Sequence, residues 1–208
     1  MTTLLAQPMT TDHFKGKAMG TENQSTQLRR SDARYDRITI ALHWLVVAFV
    51  IFLYSSALIW GELPRGTPAR KLLQALHVSF GLLFVVVLAL RVYWRATHGK
   101  RLPRIGTPVQ RIGAAVVQNG LYLMLIAQAT IGLCWRIAQQ EPLAFFWLFE
   151  LPEPQIFDKA TRQLLGATHE YLGHAIIVVA VLHALAAIYH QLVLKDGVLR
   201  RMLPSTRS

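Results

Sequence analysis

The sequence predicts an all-α integral membrane protein, a four-helix bundle with both termini cytoplasmic. Three observations carry that expectation: four apolar stretches free of Asp, Glu, Lys and Arg, an uneven sharing of basic residues among the connections, and histidines set inside or at the rim of the apolar stretches. With 53% hydrophobic and only 16% charged residues, a chain of 208 residues is too apolar for an ordinary soluble domain. The net charge of +11 does not point to nucleic acid, because the basic residues lie between apolar segments and do not define a surface patch.

The first 33 residues, rich in Thr, Gln and Ser without apolar periodicity, read as a disordered cytoplasmic arm. The charge-free stretches run Ile38 to Trp60, Leu72 to Leu90, Ile112 to Trp135 and Tyr171 to Leu194. Each is long enough, or nearly so, to cross a hydrocarbon core, and in lipid only a helix satisfies the backbone of an open chain. A transmembrane domain over residues 34–204 follows, with helices near 36–60, 72–94, 112–135 and 166–194 and a short tail at 205–208. Trp44, Trp60, Tyr93, Trp94, Trp135 and Tyr171 fall near the segment ends, where amphipathic rings settle at headgroup depth. The first stretch is too long for a cleaved leader.

Orientation follows from the 22 Lys and Arg residues: sixteen belong to the N-terminal arm, the second connection and the C-terminal tail, and six to the other two connections. Positive charge is retained inside, so the termini are expected in the cytoplasm. Helix 1 then carries His43 and helix 4 carries His183 toward the inner face, while His77 of helix 2 and His169 of helix 4 lie toward the outer face. His169 and His183 are fourteen residues apart, a rise of about 21 Å on nearly one face of a helix. An imidazole in hydrocarbon is costly unless bonded or ligated. Two cross-bundle pairs result, His43 with His183 and His77 with His169, each able to clamp an iron between two rings. Gly81 and Gly173 each lie four residues after a histidine of the outer pair, one turn along the same face, where a flat macrocycle could rest.

The segments Arg34-Tyr35-Asp36-Arg37 to Leu42-His43-Trp44, Leu76-His77-Val78-Ser79-Phe80-Gly81, Thr168-His169-Glu170-Tyr171-Leu172-Gly173, Leu182-His183-Ala184 and Lys195-Asp196-Gly197 to Arg201-Met202-Leu203-Pro204 resemble the bacterial cytochrome b561 family. The resemblance covers roughly residues 34–204. It implies an inner-membrane four-helix bundle with two haem b groups held by His43, His77, His169 and His183, exchanging electrons with quinone. Some members oxidise superoxide on the outer face and reduce ubiquinone. The haems are expected to be non-covalent, since no C-x-x-C-H sequence exists to attach one, and Cys134 stands alone.

The remaining features are weighed against this frame. His13 and His98 lie in polar connections. His174 is about 140° around the helix from His169 and is expected to face away from the outer pair, whereas His190 suits a supporting role near the inner surface. Arg91, Arg37, Arg70 and Arg162 are candidate partners for anionic propionates, which arginine binds bidentately. Outer basic residues could also attract an anionic substrate such as superoxide. The connection from Arg136 to Gly166 contains Phe145, Phe146, Trp147, Leu148 and Phe149 and is expected to rest as an aromatic segment on the outer leaflet. Gln118, Asn119 and Gln128 of helix 3 read as interhelical hydrogen-bond partners.

Three functional classes remain open from the sequence. The first is a cytochrome acting alone between an outer one-electron donor and the quinone pool, with superoxide a leading donor candidate, which would make it a superoxide oxidase and otherwise an electron carrier. The second is the membrane anchor of a larger dehydrogenase such as a nickel hydrogenase, whose partner subunit would need a docking platform on the outer loops. The third is a haem-free transporter whose histidines relay protons.

Overall fold

Helices begin in this chain where a side chain or a proline can deal with the unpaired N–H groups of the first turn. The computed structural model describes residues 34–100, 102–103, 105–139, 143–146, 148–151 and 157–204, so the N-terminal arm and the last four residues lie outside the described residues. Helix α1, Arg37–Glu62, starts behind Asp36, whose carboxylate accepts from the Thr39 N–H at 2.8 Å. Helix α2, Pro68–Thr97, and helix α3, Pro108–Ala138, both carry proline at the first helical position, where its missing N–H costs nothing. Thr107 and Gln110 add a reciprocal capping box to α3. Helix α4, Lys159–Tyr189, starts behind Asp158, which accepts from the Thr161 N–H at 2.9 Å, and runs on through a π-helical turn, His190–Leu194.

All four helices are longer than the charge-free stretches, because a helix continues through charged residues once its ends reach the headgroup region. The consequence is largest for α4. It begins at Lys159, well before the expected start near residue 166, so His169 sits inside the helix rather than at its edge.

Between α3 and α4 the structure adds an element the sequence reading did not anticipate. Strands β1, Leu143–Phe145, and β2, Phe149–Leu151, pair antiparallel, with Leu143 opposite Leu151 and Phe145 opposite Phe149. The hairpin is anchored on α2. The Phe146 N–H donates to Ser79 Oγ at 3.0 Å and the Phe146 ring meets Phe80 edge to face at 5.0 Å. Trp147 of the aromatic run lies outside the described residues.

Helix α1 packs along α2, and α3 along α4. The core is Val46 and Phe49 of α1 against Phe84, Val87 and Leu88 of α2, with Tyr122, Leu125 and Ala129 of α3 closing over it. Contacts between α1 and α4 are sparse by comparison. One of them is polar: Tyr54 Oη and His174 Nδ1 lie 2.9 Å apart. The outward surface is apolar, Leu123 being 69% and Val178 60% exposed. Water would not tolerate such a belt. All four helices are long and apolar enough to cross a membrane, where lipid covers it and packing contacts and hydrogen bonds hold the helices together.

Both described chain ends meet on one side of the bundle, here called the termini side, opposite the hairpin side. The Tyr35 N–H donates to the Arg201 carbonyl at 3.1 Å, Trp44 Nε1 to that of Met202 at 2.7 Å, and Arg34 to that of Pro204 at 2.9 Å. Arg201 in turn reaches the Pro103 carbonyl in the α2–α3 connection at 2.7 Å. Asp36 gathers Trp94 Nε1 at 2.9 Å and the Lys100 N–H at 3.2 Å. Burial pushes the Asp36 carboxyl up, but the hydrogen bonds from Thr39, Trp94 and Lys100 outweigh it and hold the group well below the usual carboxylate range.

Candidate functional site

On the hairpin side, α2 and α4 bring His77 and His169 together edge to face, with ring centroids 6.4 Å apart and planes 78° from parallel. His77 Nδ1 lies 3.0 Å from the Leu53 carbonyl of α1 and 3.1 Å from Ser56 Oγ, while Ser56 donates to the same carbonyl at 2.9 Å. A carbonyl only accepts, so His77 carries its proton on Nδ1 and leaves Nε2 with its lone pair free. Trp60 packs edge to face on the His77 ring at 4.8 Å. His169 is held from α3. Gln128 Nε2 donates to the His169 carbonyl at 3.0 Å and lies 3.3 Å from His169 Nε2, and the Trp135 ring is 5.6 Å away. Gly132 leaves the space His169 fills, since a Cβ there would stand 2.6 Å from His169 Cε1.

On the termini side, His43 of α1 and His183 of α4 are close enough to interact electrostatically. Beside His43 stands Arg91 of α2. Its guanidinium donates to the Thr39 carbonyl at 3.2 Å, stands 3.2 Å from His43 Nδ1, and lies over the Tyr122 ring at 5.5 Å. The two histidine pairs are thus stacked at two depths, joined by α4, on which His169 and His183 are separated by about 21 Å of rise.

A family model described as prokaryotic cytochrome b561 matches residues 34–205. The chain belongs to the prokaryotic cytochrome b561 family. It is 30% identical over 176 residues to "Cytochrome b561 homolog 2" of Escherichia coli (strain K12), covering 84% of this chain and 94% of that protein. It is 32% identical over 177 residues to "Probable superoxide oxidase CybB" of Yersinia pestis, covering 84% and 98%. A third relative, "Cytochrome b562" of Cereibacter sphaeroides, is 30% identical over 178 residues, covering 81% and 94%. With four membrane-capable helices, this places the chain as a multi-pass protein of the bacterial inner membrane.

Cytochrome b561 membership implies b-type haem, and the residues present fit that group. With metal–nitrogen bonds of about 2.0–2.1 Å, two imidazoles on opposite sides of one metal have ring centres about 6 Å apart, and His77 and His169 stand at 6.4 Å. One ring nitrogen of His169, Nδ1, is buried with no hydrogen-bond partner. Such an atom costs free energy unless ring rotation or a ligand satisfies it. Nothing stands within 4 Å of a Cβ built on Gly81, so the notch below His77 is open, whereas the corresponding Cβ at Gly173 would touch Gln128 Nε2 at 3.3 Å.

The arginines singled out in the sequence are spread widely. Arg91 alone touches a candidate ligand in the described contacts. Arg37 is exposed at the start of α1. Arg70 is tied to the carbonyls of Trp60 and Leu63, each at 2.7 Å, which closes the end of α1. Arg162 lies in the first turn of α4, its N–H on the Asp158 carbonyl. His98 stacks on Trp94, and His190 pairs with Asp196 at 2.5 Å beside the π-helical turn. Sequence reasoning missed Ser56, Gly132 and Tyr54 as neighbours of the histidines. None had a spacing signal, because each meets its histidine across a helix interface.

Proposed function

We propose that this chain is a di-haem b-type cytochrome that passes electrons across the membrane, from a one-electron donor on the hairpin side to the ubiquinone pool, with superoxide as the donor. The observation that carries this reading is the placement of His77 and His169 with ring centroids 6.4 Å apart, His183 lying about 21 Å of rise from His169 on nearly the same face of α4. Haem at the two levels would supply reversible one-electron carriage by iron held between imidazoles. The chain's residues do the rest. Leu53 and Ser56 fix the proton of His77 on Nδ1, which leaves Nε2 its lone pair. Gln128 and Gly132 seat His169 opposite. The apolar core of Phe49, Phe84 and Val87 packs α1 against α2.

Superoxide is favoured as donor by similarity to the Yersinia pestis protein named a probable superoxide oxidase, and by Arg70, Lys71, Arg136 and Arg162 on the hairpin side, which would steer an anion. The test is a reduced-minus-oxidised spectrum with haem quantitation on detergent-purified protein, followed by rapid mixing with superoxide and a ubiquinone analogue. A b-type α band with two haems per chain and superoxide-dependent quinol formation is the expected result. Absence of the band removes the cytochrome reading, and two haems without quinone reduction removes the stand-alone oxidase. His77→Ala or His169→Ala should each halve the haem content, as should His43→Ala or His183→Ala.

A further inference from the structure

One polar pair in the membrane-spanning part of the bundle belongs to neither histidine pair. Tyr54 of α1 and His174 of α4 meet with Oη and Nδ1 2.9 Å apart and their rings edge to face at 5.7 Å. His174 is about 140° around α4 from His169, and it is exposed. Tyr54 lies eight residues before Glu62 and His174 four after Glu170. The pair therefore sits about 6 to 12 Å inside the nearest charged residues of its two helices. An imidazole at that depth costs free energy unless something bonds it. Tyr54 serves Nδ1, but Nε2 has no partner among the described contacts of His174.

We propose that Tyr54 and His174 form the docking point for the ring of a lipid-soluble quinone, which reaches it from the bilayer along the seam between α1 and α4. This inference rests on the exchange of electrons with quinone proposed above and gives that exchange a place. The seam is the loosely packed one of the bundle: α1 is held mainly by α2, and α4 by α3. On either side of the pair the exposed residues are apolar or aromatic. Ile51 and Leu58 share the face of Tyr54, and Tyr171 and Val178 share that of His174, each three residues before or four after. A long apolar tail can lie along that strip while the ring meets the polar pair. Phosphate head groups and water-soluble anions stop at the membrane surface, so a ligand at this depth must itself dissolve in hydrocarbon.

The hydrogen-bond chemistry of the pair suits both members of a quinone and quinol couple. A neutral phenol and a neutral imidazole bring one proton each, and the contact between them uses one. With Tyr54 as donor to Nδ1, the ring proton is on Nε2 and can be given to a quinone carbonyl. With Nδ1 as donor to Tyr54, Nε2 has its lone pair and accepts from a quinol hydroxyl. The position also serves the exchange. Along α4, His174 is about 8 Å of rise from His169 and about 14 Å from His183, which puts a docked ring nearer the hairpin-side histidines.

Photolabelling of the haem-loaded, full-length chain in liposomes with an azido-ubiquinone, with and without excess ubiquinone, tests the proposal. Adducts that ubiquinone suppresses are expected between Ile51 and Leu58 and between Tyr171 and Val178. Equilibrium binding of a short-chain ubiquinone should weaken about tenfold in His174→Leu and less in Tyr54→Phe, with haem content equal to wild type in both. Suppressible adducts confined to other segments, no suppressible adduct at all, or unchanged affinity in both variants overturns this docking point. Superoxide-dependent quinol formation by the same wild-type preparation separates the two failures. If it persists, the proposed function stands and the quinone docks elsewhere, whereas its absence removes both.

Discussion

Gly132 has no side chain where one would collide with His169. A methyl group 2.6 Å from His169 Cε1 forces the ring aside, and a ligand displaced by even a fraction of an ångström loses its geometry. On the proposed di-haem reading, Gly132→Ala is therefore expected to cut haem content to about half by removing the hairpin-side group, with the termini-side group retained. Full content would show that the ring has room to yield. Asp36 governs a different property. Its carboxyl group is held low in the folded chain by bonds from Thr39, Trp94 and Lys100. A depressed folded value means that the stabilisation is complete above the unfolded carboxylate's value of about 3.9 and is lost as pH falls through the folded one. The melting temperature of wild type should exceed that of Asp36→Asn above about pH 5, with the gap closing below about pH 4. A gap that widens on acidification contradicts the assignment.

Among the elements, the hairpin depends most on a single contact. Phe146 adopts a left-handed backbone, φ 43°, uncommon for a bulky residue, and its N–H is taken up by Ser79, which is only 2% exposed. Ser79→Ala leaves that N–H without its acceptor, a loss of about 1 kcal/mol, and removes the polar anchor of the hairpin on α2. Hydrogen exchange at residues 143–151 should quicken several-fold, while the interiors of α1 and α2 keep their protection. Unchanged exchange would mean that the Phe146 ring against Phe80 suffices. The helices themselves depend less on single residues, since each is set by a cap or a proline at one end and a long apolar run.

For the whole molecule, sidedness is the property that links charge to function. Sixteen of 22 basic residues lie before the first charge-free stretch, between the second and third, or after the fourth, so the termini side is expected in the cytoplasm. A fluorescent protein fused after Ser208 should fold and emit, and alkaline phosphatase at the same place should be inactive. The opposite pattern would put His43 and His183 on the outer face and contradict the proposed placement of the donor.

The number of helices, their apolar runs and the histidines within them were legible in the chain itself, because a bilayer demands long uninterrupted apolar helices and makes each buried imidazole conspicuous. Helix α4 could also be placed by its fourteen-residue histidine spacing, although its true start at Lys159 was hidden by charged residues that a helix end accommodates. Only the tertiary structure decided that Leu53 and Ser56 stand behind His77, that Arg91 stands behind His43, and that Phe146 is pinned to Ser79. Those contacts join residues 21 to 67 positions apart. They depend on how one helix is rotated and slid against another, and a pattern of period 3.6 along a single segment carries no information about that relation.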